Sequence, residues 1–388
     1  MVMKITHFIT DEKFIDNTIH MFEGIAELEN RYVIIHDSGE PFQLLTSPLV
    51  EKIDTDEVRR IISTPSLQDV IVIHNLLSLP CEYIKQIDHD ISVVWLSWGF
   101  DIYNNTYPQF PLVKLKSTIK PKSYPLRYRL RKIHIQYRYF RKKLLHPQRE
   151  KRQDFIDAIH RVDYFSGVIP AEYDFMRQQP FFRAQGIAYN YPSRKEMYTQ
   201  EEVSNFVRDE SSPCIQVGHN GTDWGNHIDT FYRLKKIQLD GKKIIAPLNY
   251  GGNPLYREIV IRKGKELFGD QFMPLTTFLP VTEYFAMIKS ITVAIYNFER
   301  QAAFGNIKFN LWNGTKVFLP EDSINYRFLL DNGIKVFSIE RQLTQEEIDT
   351  PLTVDEVLSN REIISKYSSF NAVQERARKS FLFIQSQR

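Results

Sequence analysis

The chain has 388 residues, of which 43% are hydrophobic and 25% are charged, and its formal net charge is +3. These values lie near globular averages, so they exclude a disordered or collagen-like protein, and the length predicts two domains. Its two cysteines, Cys81 and Cys214, exclude a disulfide framework and favour a reducing, cytoplasmic compartment. The sequence contains no apolar run of the ~18 residues that a membrane-spanning helix needs, and its start lacks the apolar core of a signal peptide.

The first half alternates β-rich runs with amphipathic segments, which is the pattern of a parallel α/β sheet. The predicted strands are KITHFIT, RYVIIHD, DVIVIHNLLS and ISVVWLSWG, with helical segments at 14–29, 54–62 and 81–87 between them. Ligands of such sheets bind outside the carboxyl ends of the strands. There we predict Asp101 as a general base, with His7 or His74 as the alternative. For the histidines, a hydrogen-bonded position in the core is the competing interpretation.

Positive charge is concentrated in the segment 114–152, which contains fifteen Lys and Arg against one acid, Glu150. The segment therefore carries +14 and leaves −11 to the rest of the chain. Six apolar residues recur in it at helical spacing, and basic residues surround them: Leu126, Leu130, Ile133, Tyr137, Phe140 and Leu144, with Arg127, Arg131, Lys132, Arg138, Arg141 and Lys142. Either this apolar stripe packs on its own domain, or the helix binds an anionic partner. Because no nucleic-acid motif accompanies it, we favour an anionic membrane surface over nucleic acid.

The α/β alternation resumes after a polar stretch at about 178–212, which we take as the domain boundary. The predicted organisation is an N-terminal Rossmann-like domain over 1–180, a second Rossmann-like domain over 181–365, and a terminal helix over 366–388. In the second domain we predict strands in CIQVG, KKIIAPLNYGG, MPLTTFLP and ITVAIYNFERQ, and helices from His227, over 254–268, from Val281 and from about Gly305. The terminal helix places Phe370, Val373, Ala377 and Phe381 on one side, and we expect it to close the fold.

Three loops of the second domain are candidates for ligand binding. The loop after CIQVG is rich in glycine and leads into a helix, so Gly218, Asn220 and Gly221 either approach a phosphate or form only a tight turn. A second loop places a guanidinium and a helix dipole near each other, which suits a diphosphate; its residues are Arg300, Gln301, Gly305 and Asn306. In the third loop, at 247–253, Tyr250 offers a stacking surface, unless the loop is simply a strand-ending turn.

Nothing in the sequence predicts a metal site. The two D-x-D matches, at Asp54–Asp56 and Asp88–Asp90, precede helical or strand runs and are typical of caps and surface turns. No Cys/His spacing suits zinc. We therefore expect no metal and no resident cofactor.

Six motifs occur in a familiar order along the chain. They are the strand ending in His7 with Asn17 following, IVIHN at 71–75, W-x-x-W-G-x-D at 95–101, the basic run RYRLRK, VGHNGTDWGNH at 217–227 and NFERQAAFGN at 297–306. In this order they resemble the TDP-N-acetylfucosamine:lipid II N-acetylfucosaminyltransferase family, and the similarity extends through nearly the whole chain.

The resemblance implies a GT-B glycosyltransferase, with two Rossmann-like domains facing a central cleft. The first domain would bind a polyprenyl-linked saccharide and the second a TDP-sugar, without a metal. The resemblance also places Gly218, Asn220, Gly221, Arg300, Gln301, Gly305 and Asn306 around the donor diphosphate and Tyr250 beside the nucleobase. The basic helix would contact the cytoplasmic face of the bacterial inner membrane.

The chain departs from related patterns at two places. Leu96 stands where the family has a His after the first Trp of W-x-x-W-G-x-D, and Ala302 and Asn310 stand where many retaining GT-B enzymes carry a pair of glutamates. The alternatives are another GT-B nucleotide-sugar enzyme, including an epimerase, or a non-catalytic adaptor at the membrane surface.

Overall fold

The computed structural model describes residues 2–12, 14–36, 41–103, 149–207, 213–279 and 287–388, with isolated residues 126, 130, 133, 134, 137 and 283. These residues divide into two compact units. The first unit contains the described residues up to 103 together with 149–200 and 365–388, and the second contains 201–364.

The first unit is built on a seven-stranded sheet in the order β3-β2-β1-β4-β5-β6-β7, in which all neighbouring strands are parallel. Its strands are β1 Met3–Phe8, β2 Leu28–Ile35, β3 Val50–Ile53, β4 Val70–Ile73, β5 Ser92–Leu96, β6 Tyr164–Ser166 and β7 Gln185–Gly186. Its helices are α1 Ile15–Glu23, α2 Thr55–Ser63, α3 Cys81–Ile84, α4 Phe100–Tyr103, α5 Arg149–Arg161 and α6 Pro170–Met176, together with α13 Phe370–Ser386.

Both faces of the first sheet are buried, which explains why its central strands are almost continuously apolar. Along β4, Ile71 and Ile73 join one hydrophobic cluster, whereas Val70 and Val72 join the other. The terminal helix α13 contributes to the second cluster through the four residues of its predicted apolar side. This helix therefore completes the core of the first unit.

The second unit is built on a six-stranded parallel sheet in the order β10-β9-β8-β11-β12-β13. Its strands are β8 Cys214–Val217, β9 Lys243–Pro247, β10 Phe272–Leu275, β11 Ile291–Ile295, β12 Lys316–Leu319 and β13 Phe337–Ser338. The helices are α7 His227–Leu234, α8 Pro254–Phe268, α9 Phe304–Trp312, α10 Ile324–Asp331, α11 Gln345–Asp349 and α12 Val354–Ser368, the last of which crosses into the first unit.

The structure differs from the sequence-based expectations mainly at the unit boundary and in short elements. The first unit extends to Gln200 and not to 180, because β7 pairs with β6 and so continues the first sheet. The elements that were not predicted are strands β3, β7, β12 and β13 and helices α4, α6, α10, α11 and α12. Asp54 caps α2 by accepting hydrogen bonds from the Asp56 and Glu57 amides, as expected for that D-x-D match.

Candidate functional site

The second sheet changes its direction of strand progression between β8 and β11. These strands are neighbours, but the chain continues from β8 to β9 on one side and from β11 to β12 on the other. The loops that follow such a pair diverge and leave a crevice, which is where open parallel sheets bind ligands. These two loops and the helix that follows β11 contain seven of the predicted donor-site residues: Gly218, Asn220, Gly221, Arg300, Gln301, Gly305 and Asn306.

Gly218 allows the first turn of α7 to approach the end of β8. Its φ angle is +71°, and a Cβ at this position would overlap the His227 imidazole. His227 Nδ1 lies 3.0 Å from the Tyr256 hydroxyl, and burial lowers the pKa of His227 to about 4. The imidazole is therefore neutral near pH 7 and acts as a packing and hydrogen-bonding group.

The loop after β8 is tied directly to the loop after β9. The Gly221 amide donates to the Tyr250 carbonyl over 2.8 Å. Gly252 has a φ angle of +70°, and a Cβ there would overlap the Gly221 carbonyl. Asn220 stabilises its own loop by accepting from the Thr222 amide at 3.1 Å. The position of Tyr250 is thus coupled to that of the predicted phosphate loop.

Arg300 joins the loop after β11 to the loop after β8. Its guanidinium lies over the Trp224 ring, 3.7 Å from the ring centroid, which is a close cation–π contact. The two loops are also joined by the Asn226 side-chain amide, which donates to the Asn297 carbonyl over 2.8 Å. Arg300 is thereby held in place before any ligand arrives, which reduces the entropy lost on binding an anion.

The N-terminus of α9 follows Arg300 on the same loop. Ala303 precedes the helix with a left-handed φ of +53°, and Gln301 is buried beside it. Gly305 is exposed and has open space where a Cβ would stand, so the first turn is uncovered at that residue, and Asn306 is half-buried. The free amides and positive dipole end of a helix attract anions. Together with Arg300, they can bind a diphosphate.

His219 is neutral as well. Burial lowers its pKa to about 3, and its Nε2 lies 3.0 Å from the Asn220 side-chain nitrogen. Because the Asn220 oxygen already accepts from Thr222, the amide group of Asn220 is the donor to His219. His219 therefore contributes no positive charge to this edge, whereas Arg300 does.

Tyr250 is paired with an aromatic residue that sequence reasoning placed in a strand. The Phe278 ring lies nearly parallel to the Tyr250 ring, at 17° and with the centroids 6.3 Å apart. The two residues follow adjacent strands, β9 and β10, and are 41% and 76% exposed. They form an exposed aromatic surface suited to a planar ring.

In the first unit, His7 and His74 belong to a buried chain of hydrogen bonds. His7 Nδ1 lies 3.1 Å from His74 Nε2, His7 Nε2 lies 3.1 Å from the Asn30 oxygen, and His74 Nδ1 lies 3.0 Å from the Tyr191 hydroxyl. Both imidazoles are fully buried, which lowers the pKa of His7 to about 3 and that of His74 well below its ordinary value. This geometry favours the core interpretation over a role as base for either residue.

Asp101 is also enclosed by its own loop. Its carboxylate accepts from Trp95 Nε1 at 2.8 Å, from Ser97 Oγ at 2.8 Å and from the Trp98 amide at 3.0 Å. Only 4% of the residue is exposed, and burial raises the pKa of its carboxyl above the ordinary value. The three donors fix the W-x-x-W-G-x-D loop, so the geometry gives Asp101 a positioning role for Trp98.

The apolar stripe of the basic segment is partly described. Leu126, Leu130, Ile133 and Tyr137 are helical, and each is 55–64% exposed. For these four residues, the alternative that the stripe packs on its own domain is therefore wrong. The six predicted basic residues lie outside the described part of the chain: Arg127, Arg131, Lys132, Arg138, Arg141 and Lys142.

The described residues contain no group of three His, Cys, Asp or Glu side chains arranged to hold a metal ion. Among them, too, no helix is both long and apolar enough to cross a bilayer.

Sequence reasoning assigned no role to Trp224 or Phe278. The Trp224 ring contacts the Arg300 guanidinium. A tryptophan in a glycine-rich loop that follows a strand could have indicated a role in the ligand site. Phe278 lies in the run MPLTTFLP, where β10 ends at Leu275. The pairing of Phe278 with Tyr250 depends on the strand order, which the local pattern did not specify.

Several solved structures resemble the fold of the chain at low sequence identity. The N-terminal domain of trehalose-6-phosphate phosphatase from Candida albicans has a TM-score of 0.60 at 9% identity and covers 100% of this chain and 97% of its own. Anabaena Alr3699/HepE in complex with UDP and glucose has a TM-score of 0.60 at 11% identity, with 97% and 99% covered. The lipopolysaccharide outer core galactosyltransferase WaaB has a TM-score of 0.59 at 12% identity, with 98% and 99% covered. The fold is that of the GT-B glycosyltransferases.

A family model described as 4-alpha-L-fucosyltransferase, glycosyl transferase group 56, matches residues 165–368. This match extends over more than half of the chain, and the protein therefore belongs to that family of glycosyltransferases. No curated protein sequence matches it significantly.

Proposed function

We propose that the enzyme transfers an amino-deoxy sugar of the N-acetylfucosamine type from a TDP-sugar to a saccharide on a polyprenyl diphosphate, in the synthesis of a bacterial surface polysaccharide. The observation that carries the proposal is the crevice between β8 and β11, where Arg300 and the first turn of α9 lie on one loop. The choice of this sugar and this carrier rests on the motifs that resemble the N-acetylfucosaminyltransferases. The group 56 match supports that choice.

In this reaction the bond between the anomeric carbon and the diphosphate oxygen breaks, the acceptor hydroxyl oxygen bonds to the anomeric carbon, and the hydroxyl proton passes to the solvent. Negative charge accumulates on the leaving TDP. Arg300 and the helix N-terminus stabilise that charge, because they are preorganised donors in a partly buried site. We therefore expect transfer to proceed without an added divalent metal.

The thymine would lie beside Tyr250, with Phe278 extending the aromatic surface. Stacking of one base on an aromatic side chain contributes roughly 1–3 kcal/mol. Asp101 acts in this scheme by holding Trp98 and its loop in the first unit, since its three hydrogen-bond donors leave it in the interior.

The enzyme would bind the cytoplasmic face of the inner membrane peripherally. Support comes from the exposed side chains of Leu126, Leu130, Ile133 and Tyr137, which lie in a segment of net charge +14. Exposed apolar residues on a helix insert at the headgroup level, while basic residues are attracted to anionic lipids. This location would bring the donor site to a lipid-linked acceptor.

The first test is a thermal shift of the purified chain with TDP, UDP and GDP in the presence of EDTA. A ligand that binds only the native state raises its apparent stability. We expect TDP to give the largest shift, and we expect Arg300→Ala to weaken TDP binding at least tenfold, because charge-assisted hydrogen bonds contribute about 1.5–3 kcal/mol.

The matched control is Arg262→Ala, which removes an exposed arginine of α8 in the same unit. It should retain the wild-type TDP shift. If no nucleotide stabilises the wild-type chain but anionic vesicles still bind, a non-catalytic surface adaptor is the better account. Consumption of the TDP-sugar with isomerisation and without an acceptor would instead indicate an epimerase.

A further inference from the structure

The first unit has a cavity of about 460 Å³ beside its last two strands, β6 and β7. Its walls come from residues that follow these strands, from α6, from the end of α12 and from α13. A smaller cavity of about 380 Å³, where β1 and β4 diverge, is separate from it and is lined by Thr10, His36 and Phe42. The volume beside β6 and β7 is within the range of sites that bind small organic molecules.

Arg376 is the only cation that lines this cavity among the described residues. It is half-buried, and burial lowers the pKa of its guanidinium, although an arginine stays charged at neutral pH. Arg376 forms no ion pair with a described residue, whereas Arg378 on the same helix pairs with Glu27. Asp174, which also lines the cavity, pairs with Arg177 at 3.1 Å. Because a partly buried charge is normally compensated by an opposite one, the cavity suits an anionic ligand.

One side of the Arg376 guanidinium is already bonded to the protein. Its Nη1 donates to the Asn190 side-chain oxygen at 2.7 Å and to the Tyr367 carbonyl at 3.1 Å. The guanidinium also lies over the Tyr367 ring, 4.6 Å from the ring centroid. Its Nε and Nη2 donate to no described residue. These two nitrogens form the other side of the planar group, and such a pair binds a carboxylate through two parallel hydrogen bonds.

Two other polar side chains of the cavity wall are engaged with the protein. Asn190 donates to the Val168 carbonyl at 2.9 Å and to the Tyr367 hydroxyl at 3.1 Å, and Ser166 Oγ donates to the Tyr189 carbonyl at 3.1 Å. Most of the remaining wall is aromatic or aliphatic, and it includes Tyr173, Tyr189, Tyr367, Pro170, Ile187 and Ala188. The hydroxyls of a sugar would find few partners here, whereas a planar ring matches such walls.

We propose that this cavity binds a small aromatic acid, whose carboxylate accepts from Nε and Nη2 of Arg376 and whose ring packs among the tyrosines. A phosphate is disfavoured, because Arg376 supplies the single positive charge of the described wall and Asp174 adds a negative one. The site goes beyond the proposed function, since it uses none of the residues assigned to the donor or to catalysis. In the sheet, β5 separates it from the divergence of β1 and β4.

The probe for this site is para-hydroxybenzoate, and para-hydroxybenzamide is a neutral control of nearly the same shape. In saturation-transfer NMR with the full chain, we expect the ring protons of the acid to receive magnetisation from the protein. The amide should bind about tenfold more weakly or worse, because it loses the charge-assisted hydrogen bonds to the guanidinium. Glucuronate carries its carboxylate on a sugar ring, and we expect no signal from it.

Two variants with matched controls locate the binding. Arg376→Gln should weaken the binding of para-hydroxybenzoate about tenfold or more. Its control is Arg183→Gln, because Arg183 is exposed in the same unit and does not line the cavity. Arg376→Gln also alters the bonds to Asn190 and Tyr367, so Ala188→Trp provides an independent block, with an indole ring at an exposed position of the wall. Its control is Ala26→Trp, at an exposed alanine of the same unit.

Both controls should bind para-hydroxybenzoate as the wild type does. The proposal is overturned if the wild type gives no signal with the acid or if the signal survives in Ala188→Trp. An amide that binds as tightly as the acid overturns it as well, because the guanidinium would then have no role. Binding of glucuronate in place of para-hydroxybenzoate overturns the choice of an aromatic acid. None of these readouts involves TDP, so a failure of the proposed donor is seen separately.

Discussion

At the scale of single residues, the polar side chains at the strand ends of the first unit fall into two groups. His7, His74 and Asp101 have their hydrogen-bonding partners within the interior, and their burial alters their pKa values in the direction that disfavours charge. Thr10 and His36, at the ends of neighbouring strands, line an open cavity. Residue type and position along a strand are similar in the two groups, so only burial distinguishes them.

Glu172 is a further buried carboxyl that the sequence did not single out. It is fully buried at the start of α6, where it accepts from the Val168 amide at 2.6 Å. Burial raises its pKa from 4.5 to about 7. The folded state therefore binds this proton more tightly than the unfolded state, so the contribution of Glu172 to stability is complete below pH 4.5 and is lost as the pH rises through about 7.

We expect Glu172→Gln to remove this pH-dependent loss of stability, because the Gln amide resembles the protonated Glu carboxyl. Relative to the wild type, the variant should gain on the order of 3 kcal/mol of unfolding free energy between about pH 5 and about pH 8. Urea unfolding at the two pH values measures the difference. Glu29→Gln, at an exposed position of the same unit, should show no such gain. An equal pH dependence in the wild type and in Glu172→Gln would contradict the expectation.

At the scale of elements, the donor site depends on loops that contact each other across adjacent strands. The sequence predicted the glycine-rich loop after β8, the loop with Arg300 and the loop with Tyr250, because each follows a recognisable strand. It did not predict that Trp224 supports Arg300 or that Gly252 meets Gly221. Such contacts depend on strand order, which a local pattern of hydrophobicity does not contain.

Gly252→Ala tests the contact between the two loops. The new Cβ would require a left-handed backbone and would overlap the Gly221 carbonyl, so we expect a loss of about 2 kcal/mol or more in unfolding free energy and weaker TDP binding. Gly241→Ala is the control, because Gly241 has a φ angle of +81° but open space around its Cβ position. That variant should lose only about 1 kcal/mol and keep its TDP shift. Equal effects of the two variants would show that the contact with Gly221 has no role.

At the scale of the whole molecule, two parallel sheets each provide a crevice where the strand order diverges. In the second unit the crevice carries Arg300 and a helix N-terminus, and in the first it carries a cavity with an acidic and an aromatic wall. The charged and polar groups of the two crevices therefore differ.

The exposed stripe of the basic segment gives a prediction at the same scale. Leu130→Glu should weaken binding to vesicles of phosphatidylglycerol and phosphatidylethanolamine about tenfold, because burying one leucine is worth about 1.5–3 kcal/mol. Co-sedimentation at several salt concentrations measures the effect. Leu330→Glu, at a residue that is 45% exposed on α10, should bind as the wild type does. Equal binding by the wild type and Leu130→Glu would argue against membrane insertion of the stripe.

The sequence by itself determined the α/β class, most of the central strands, the terminal helix and the loops that follow β8, β9 and β11. These features follow from hydrophobic periodicity and from glycines, which act over a few residues. Only the tertiary structure decided which polar residues are accessible. His7, His74 and Asp101 became interior residues, whereas Phe42, Leu77 and Phe278 came to line cavities or exposed surfaces. Burial is set by elements distant in sequence, such as α13 packing on the first sheet, and a short-range pattern carries no information about that packing.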